Sequence, residues 1–364
     1  MKVPYLDLGA QHKSIKEDIL KRIGTILDSG QFILGEELAA FEKKIAELHQ
    51  TKYAIGVANG TDALFLSMTG IGIGKGDEVI TAPNSFLASA SSIHLAGATP
   101  VFADVQEDMN IDPVKVEKAI TSKTRAIIAV HLTGRPSAMD ELLEISRKYG
   151  IYVIEDCAQS VIAEYKNKRV GGIGIAGCFS LHPLKNLAAC GDGGVITTND
   201  ERLYQWLLRA RNHGLKNRDE CDFWSYNSRL DNLQAAILNV KLGQFEKWTD
   251  RRRQIAKVYH EKLRNVCLAP VDKPYEKAVY HTYIIQAKRR DELKEHLTKN
   301  GIDTKIHYPI AIHEQKAAKA LGYKKGDFPV TEAQGKTILS LPVFPELTDE
   351  QVNYVCEKIL DFYK

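Results

Sequence analysis

The sequence predicts an α/β fold: a mainly parallel sheet domain, followed by a smaller C-terminal α+β domain. Three observations carry this expectation. Between residues 53 and 200, short apolar runs alternate with amphipathic stretches, as strands and helices do when layered around a buried sheet. Most of the runs are rich in Val and Ile, and several are flanked by Gly, Pro or Asp. Strands buried on both faces read this way. The chain has 364 residues, a length that suits two domains.

In chain order, residues 11–29 predict an N-terminal helical arm. Strands are predicted over 53–57, 78–81, 99–102, 126–130, 151–155, 177–181 and 194–198. Helical patterns lie between them, over 61–69, 86–96 and 138–149. Helices then dominate around 201–211 and 232–248. The stretch 247–263 is charged and amphipathic and predicts a long surface helix. Beyond it strands are fewer, as around 280–286. The expected division is a large domain with its arm over residues 1–245 and a small domain over 246–364.

Composition narrows the function classes. The chain carries 49 basic and 46 acidic residues, a net charge of +3, so no general attraction to nucleic acid or a membrane surface follows. Six cysteines, Cys157, Cys178, Cys190, Cys221, Cys267 and Cys356, form no C-x-x-C pair and no zinc-ligand spacing. That predicts no metal site and a reducing compartment. The N-terminus lacks the apolar run of a signal peptide. No apolar stretch approaches the ~20 residues that span a bilayer. The expectation is a cytoplasmic protein.

Three segments carry candidate chemistry. In the first, an apolar strand runs through Asn59-Gly60-Thr61 into a helical pattern. A helix start offers unpaired N–H groups and partial positive charge, so Gly60 and Thr61 make a phosphate seat. The same residues also suit an ordinary N-cap. In the second, a strand ends in Glu155-Asp156, at the edge where open α/β sheets bind ligands. On a continuing strand the two acids point to opposite sides. Asp156 is the candidate partner for a protonated ring nitrogen, which pyridoxal 5'-phosphate (PLP) needs in order to stay an electron sink. In the third, a strand ends at Ser180 and gives way to His182-Pro183-Leu184-Lys185-Asn186, then a Gly-rich turn. A lysine held in a partly dry loop loses its proton more easily and can form an imine with an aldehyde. Alone, Lys185 is one lysine among many. Together the segments supply a phosphate seat, a ring partner and an imine lysine.

With these residues in view, the chain resembles the DegT/DnrJ/StrS family of sugar aminotransferases. The likeness extends from Pro4-Tyr5-Leu6-Asp7-Leu8 and Phe32-Ile33-Leu34-Gly35 through His131-Leu132-Thr133-Gly134-Arg135-Pro136 to Tyr308-Pro309 and Leu341-Pro342. The resemblance implies a fold-type I PLP-dependent transferase. It implies Lys185 as the imine lysine, Asp156 as the ring partner and Gln159 near the ring's 3-hydroxyl. Gly60, Thr61 and Ser180 become phosphate contacts. Phe86 falls where the family sets an aromatic ring over the cofactor, although by itself it suits a core position. Asn227 matches a residue that reaches the phosphate from a neighbouring subunit, which implies a homodimer. Tyr308 and His313 match positions that contact the sugar or the donor. Leu184 departs from the family, where a small hydroxyl residue often precedes the lysine.

The implied reaction moves an amino group from glutamate or glutamine to a nucleotide-linked keto-sugar. Relatives with His in place of the lysine are dehydratases, and the retained Lys185 favours amino transfer. A PLP-dependent sugar dehydratase and a PLP-binding regulatory protein are the alternatives. The His182–Asn186 loop and its Gly191-Asp192-Gly193-Gly194 turn are similar to members acting at the sugar's third carbon.

Overall fold

The computed structural model describes residues 1–269 and 271–364. Its strands are β1 (Tyr53–Val57), β2 (Glu78–Thr81), β3 (Thr99–Phe102), β4 (Thr124–Val130), β5 (Tyr152–Asp156), β6 (Glu164–Tyr165), β7 (Lys168–Arg169), β8 (Ala176–Ser180), β9 (Gly194–Thr198), β10 (Glu276–Lys277), β11 (Tyr283–Gln286) and β12 (Ile338–Leu341). Seven of them form the main sheet in the order β1-β9-β8-β5-β4-β2-β3. All its pairings are parallel except those of β9 with β1 and with β8. The seven predicted runs are these seven strands, with ends moved by two residues at most.

Alternation along β4 shows why the runs look continuously apolar. Ala126, Ile128 and Val130 pack with Ala63, Leu64, Leu66 and Met68 of the helix Gly60–Gly70. Ile127 and Ala129 point the other way, onto Met139, Leu142 and Ile145 of the helix Met139–Tyr149. Both faces of the sheet are buried, so no polar alternation is left to read.

The helix Asn232–Leu263 runs 32 residues without interruption. The surface helix expected over 247–263 is its second half, with Lys247, Asp250, Gln254, Lys257, Glu261 and Lys262 exposed. Phe245, Trp248, Arg252, Ile255, Tyr259 and Leu263 are all buried. Their three- and four-residue spacing forms one stripe, while the neighbouring charges occupy the rest of the circumference. The first half of this helix packs in the core that holds Phe41, Phe179 and Leu187. The second half packs in the C-terminal core with Leu293, Leu339 and Val355. A division between residues 245 and 246 thus falls within the helix. The C-terminal core contains the antiparallel pair β11–β12 and also takes in Val3, which forms a parallel bridge with Ile302. The N-terminal arm is two helices, Leu8–Lys13 and Lys16–Ser29, and a helix over Glu36–Leu48 follows. Among the described residues, no helix is long and apolar enough to cross a membrane.

Glu155 and Asp156 end β5 on opposite faces, and Glu155 is structural. Its carboxylate is completely buried and accepts from His131 Nε2 at 3.0 Å and from the N–H groups of Gly171, Ile173 and Gly174 at 2.8, 2.8 and 2.7 Å. The Ser137 N–H donates to His131 Nδ1 at 3.0 Å. A neutral His131 therefore carries its proton on Nε2, facing the carboxylate. Burial alone would raise the Glu155 pKa, but these donors outweigh it and the group lies below the usual carboxylate range. The stabilisation is present above the ordinary carboxylate pKa and is lost as pH falls through the lowered folded value. Glu155→Gln, which turns an NH2 toward backbone donors, should cost about 3 kcal/mol at neutral pH. Urea melts should show that loss shrinking at acid pH, and a cost independent of pH would contradict the assignment.

Candidate active site

Because β1 and β8 point the same way as β5, β4 and β2, their carboxyl ends share one edge of the sheet. The segments after them carry the candidate groups. After β1, the Asn59 side chain caps the helix Gly60–Gly70 by accepting from the Asp62 N–H at 2.8 Å. The Ala63 N–H goes to the Asn59 carbonyl at 3.1 Å. Helix geometry leaves the Gly60 and Thr61 N–H groups for an outside acceptor. A Cβ on Gly60 would lie 2.8 Å from Ser180 Cβ, so the helix start and the end of β8 meet here in a space that only glycine permits. An anion with several acceptor oxygens fits this cradle.

Asp156 is 5% exposed. Ser89 Oγ donates to its Oδ2 at 2.9 Å, and the Ala158 N–H donates to its Oδ1 at 3.1 Å. Ser85 Oγ lies 2.8 Å from Ser89 Oγ and extends this chain of hydroxyls. Burial raises the Asp156 pKa, while the two donors and the Lys185 charge pull against it. A cation set against this carboxylate would relieve that strain.

Lys185 lies in the turn after β8, partly open to solvent yet crowded by protein atoms. Burial lowers its pKa, and the charge of Asp156 works in the opposite direction. Two imidazoles that sequence reasoning missed flank it. His281 Nδ1 lies 3.0 Å from Asn186 Oδ1. Burial and then the charge on Lys185 hold His281 well below its usual value. His307 Nδ1 lies 2.8 Å from Ser340 Oγ, and the same two causes lower its pKa to about 4. Both rings are neutral near pH 7, so neither competes with Lys185 for Asp156. They arrive from a part of the chain roughly a hundred residues away, with no motif to mark them.

The other predicted residues divide. Gln159 is buried and accepts from the Thr133 N–H at 2.7 Å. Tyr308 stands beside Gln159 and Asp156, and burial pushes its hydroxyl up to about 12. Phe86 is 53% exposed, with its ring 5.8 Å from that of Tyr308, so it is not a core residue. A cavity of ≈ 240 Å³, bounded by Asn84, Arg290, His307, Tyr308, Gln334 and Lys336, adjoins this group. His313 is not brought here. Its ring is buried against Phe328 at 4.7 Å, and Nε2 faces Glu332 at 3.2 Å. Asn227 is exposed and bridges to Asn212. Its neighbour Ser228 donates to Asp62 at 2.7 Å.

The residues suit PLP on this geometry: a cradle for a phosphate dianion, a buried carboxylate wanting a cation, and a lysine with a lowered pKa in the field of that carboxylate. In the protein without cofactor, the Lys185 amine should react with an acylating reagent at lower pH than a surface lysine. Asp156→Asn, which removes the charge favouring the ammonium, should lower that pH further. Peptide mass spectrometry across a pH series measures both. A Lys185 that titrates at or above the ordinary lysine value would contradict the electrostatics described.

Known proteins similar to this chain identify its family. A 43% identical relative, the pleiotropic regulatory protein of Geobacillus stearothermophilus, aligns over 100% of this chain and 99% of its own. The dTDP-3-amino-3,6-dideoxy-alpha-D-galactopyranose transaminase of Aneurinibacillus thermoaerophilus is 42% identical over 98% of both chains. The solved structure of Streptomyces venezuelae DesV in complex with a ketimine intermediate superposes with a TM-score of 0.98 at 38% identity, covering 100% of this chain and 99% of that one. The family model of the DegT/DnrJ/EryC1/StrS aminotransferases matches residues 13–360, and the chain belongs to that PLP-dependent family.

Proposed function

We propose that this aminotransferase moves an amino group from glutamate or glutamine to the third carbon of a nucleotide-linked 3-keto-sugar. The observation that carries the reading is Lys185 beside Asp156 at the sheet edge that also holds the Gly60, Thr61 and Ser180 cradle. The third carbon is favoured because relatives 38–42% identical are named as transaminases of dTDP-3-amino sugars and of a UDP-3-dehydro sugar.

PLP, when bound, supplies the electron sink that makes the donor's α-proton acidic. The chain's residues do the rest. Gly60 and Thr61 N–H groups and the Ser180 hydroxyl hold the phosphate. Asp156, fixed by Ser89 and the Ala158 N–H, keeps a proton on the ring nitrogen. Gln159 would hold the ring's hydroxyl, and Phe86 would cover the ring. Lys185 Nζ is the covalent anchor at rest. As a free amine it would take the donor's α-proton as base and give it back as acid. The lowered Lys185 pKa raises the fraction of free amine available for this. Tyr308 contacts the sugar. His313, behind its contact with Glu332, shapes that wall rather than touching the sugar.

A homodimer completes the site in this reading, with Asn227 reaching a partner's phosphate. Phe32, Ile33, Leu34, Trp224 and Tyr226 are exposed, and apolar side chains of this kind suit burial against a second copy. All six cysteines are free, which supports a cytoplasmic location. The regulatory name of the Geobacillus relative favours a second reading, a PLP-binding regulator, but a lysine poised for proton transfer favours chemistry.

Purified protein should be yellow and should bleach when glutamate or glutamine is added. Initial rates should follow ping-pong kinetics, and Lys185→Ala should lose activity by at least about a thousandfold. Colour without response to donors would favour the regulator, and a Lys185→Ala variant that turns over would overturn the proposal. Co-expression of Lys185→Ala with Asn227→Ala, each inactive alone, should restore partial activity. No recovery would argue against shared sites.

A further inference from the structure

The backbone that follows Lys185 is irregular, yet it is fastened at alternate residues. Asn186 Nδ2 donates to the Val279 carbonyl at 3.4 Å, and its Oδ1 faces His281 Nδ1 at 3.0 Å. Two residues on, the Ala188 carbonyl accepts from Lys241 Nζ at 2.7 Å. Two further on, the Cys190 N–H donates to Gln234 Oε1 at 2.8 Å, and Gln234 Nε2 donates back to the Cys190 carbonyl at 3.4 Å. Gln234 and Lys241 stand seven residues apart, on one face of the helix Asn232–Leu263.

Lys241 is the unusual member of this set. It is 1% exposed. It sits in the core that contains Leu187, Ala189, Leu238 and Phe245. Among the described residues, the titratable groups beside it are the Cys190 thiol and the His12 ring, not a carboxylate. A buried ammonium without a counter-charge is costly, and an apolar side chain of the same length would fill the space without that cost. What the ammonium supplies is a charge-assisted hydrogen bond to one carbonyl, three residues beyond Lys185.

We propose that Lys241 is a positioning residue for the reaction. By holding the Ala188 carbonyl, together with Gln234 at Cys190, it fixes the loop so that the Lys185 amine stays in the field of Asp156. The inference rests on Lys185 being the reacting amine. An amine displaced by about 1 Å can lose on the order of a hundredfold in rate.

Two variants test it. Lys241→Met keeps the length and removes the donor, and Lys241→Gln keeps a neutral donor. Cofactor-free Lys241→Met should keep the far-ultraviolet circular dichroism of the parent. Its amides over 186–192 should exchange about tenfold faster, with the rest of the sheet unchanged. With cofactor, kcat should fall about 10–100-fold while the donor KM stays within about twofold. Lys241→Gln should recover kcat to within about threefold of the parent. Parental exchange and kcat in Lys241→Met would overturn the proposal. So would an equal fall in both variants that tracks a global loss of melting temperature. The exchange measurement needs no turnover. If Lys185→Ala were active while Lys241→Met loosened the loop, the function reading would fail, and of the present proposal only the fastening of the loop by Lys241 would stand.

Discussion

A buried carboxylate and a crowded, partly exposed amine meet at the carboxyl edge of the sheet, and the arrangement of the site follows from keeping them there. Burial works against the charge on both Asp156 and Lys185, and each charge partly restores the other. Neither group would keep this balance at a surface, where solvent screens the interaction. The parity of β5 decides which acid takes part. Asp156 shares the face of Ile154, toward the helix Gly60–Gly70, while Glu155 turns away and is consumed by His131 and the loop at 171–174. Exchanging their roles would need a one-residue slip of β5, which would also expose Ile154 to the wrong layer.

The neighbours serve that pair. Hydroxyls of Ser85 and Ser89 orient Asp156 without adding charge. His281 and His307 crowd Lys185 as neutral rings, because the same burial that lowers the lysine's pKa lowers theirs further. The Gly60 start faces Ser180 across a gap too narrow for a side chain. Helix dipole, carboxylate and amine thus lie along one sheet edge, a set that suits a phosphorylated, protonated heterocycle with an electrophilic carbon.

Much of this was legible in the sequence, for identifiable reasons. The strands showed because both sheet faces are covered, which makes each run apolar throughout. Gly60, Thr61, Asp156, Ser180 and Lys185 were legible because each ends a strand or lies in the segment after one, where parallel topology gathers loops. The rest was hidden by contacts between distant segments. The stretch 247–263 was legible as a surface helix, but the joining of two cores by its stripe through Trp248, Ile255 and Tyr259 was not. His313 was expected beside the substrate from the family resemblance, but its ring is buried against Phe328 and faces Glu332. His281, His307 and Lys241 reach the lysine loop from residues some 55 to 120 positions onward, and local pattern holds no trace of that.

The central claim is that Lys185 alone carries the cofactor. Borohydride reduction of the purified yellow protein, followed by peptide mapping, tests it most directly. The account predicts one modified residue, Lys185, bearing the mass of reduced PLP. An unmodified Lys185, or the same mass on another lysine, would contradict it.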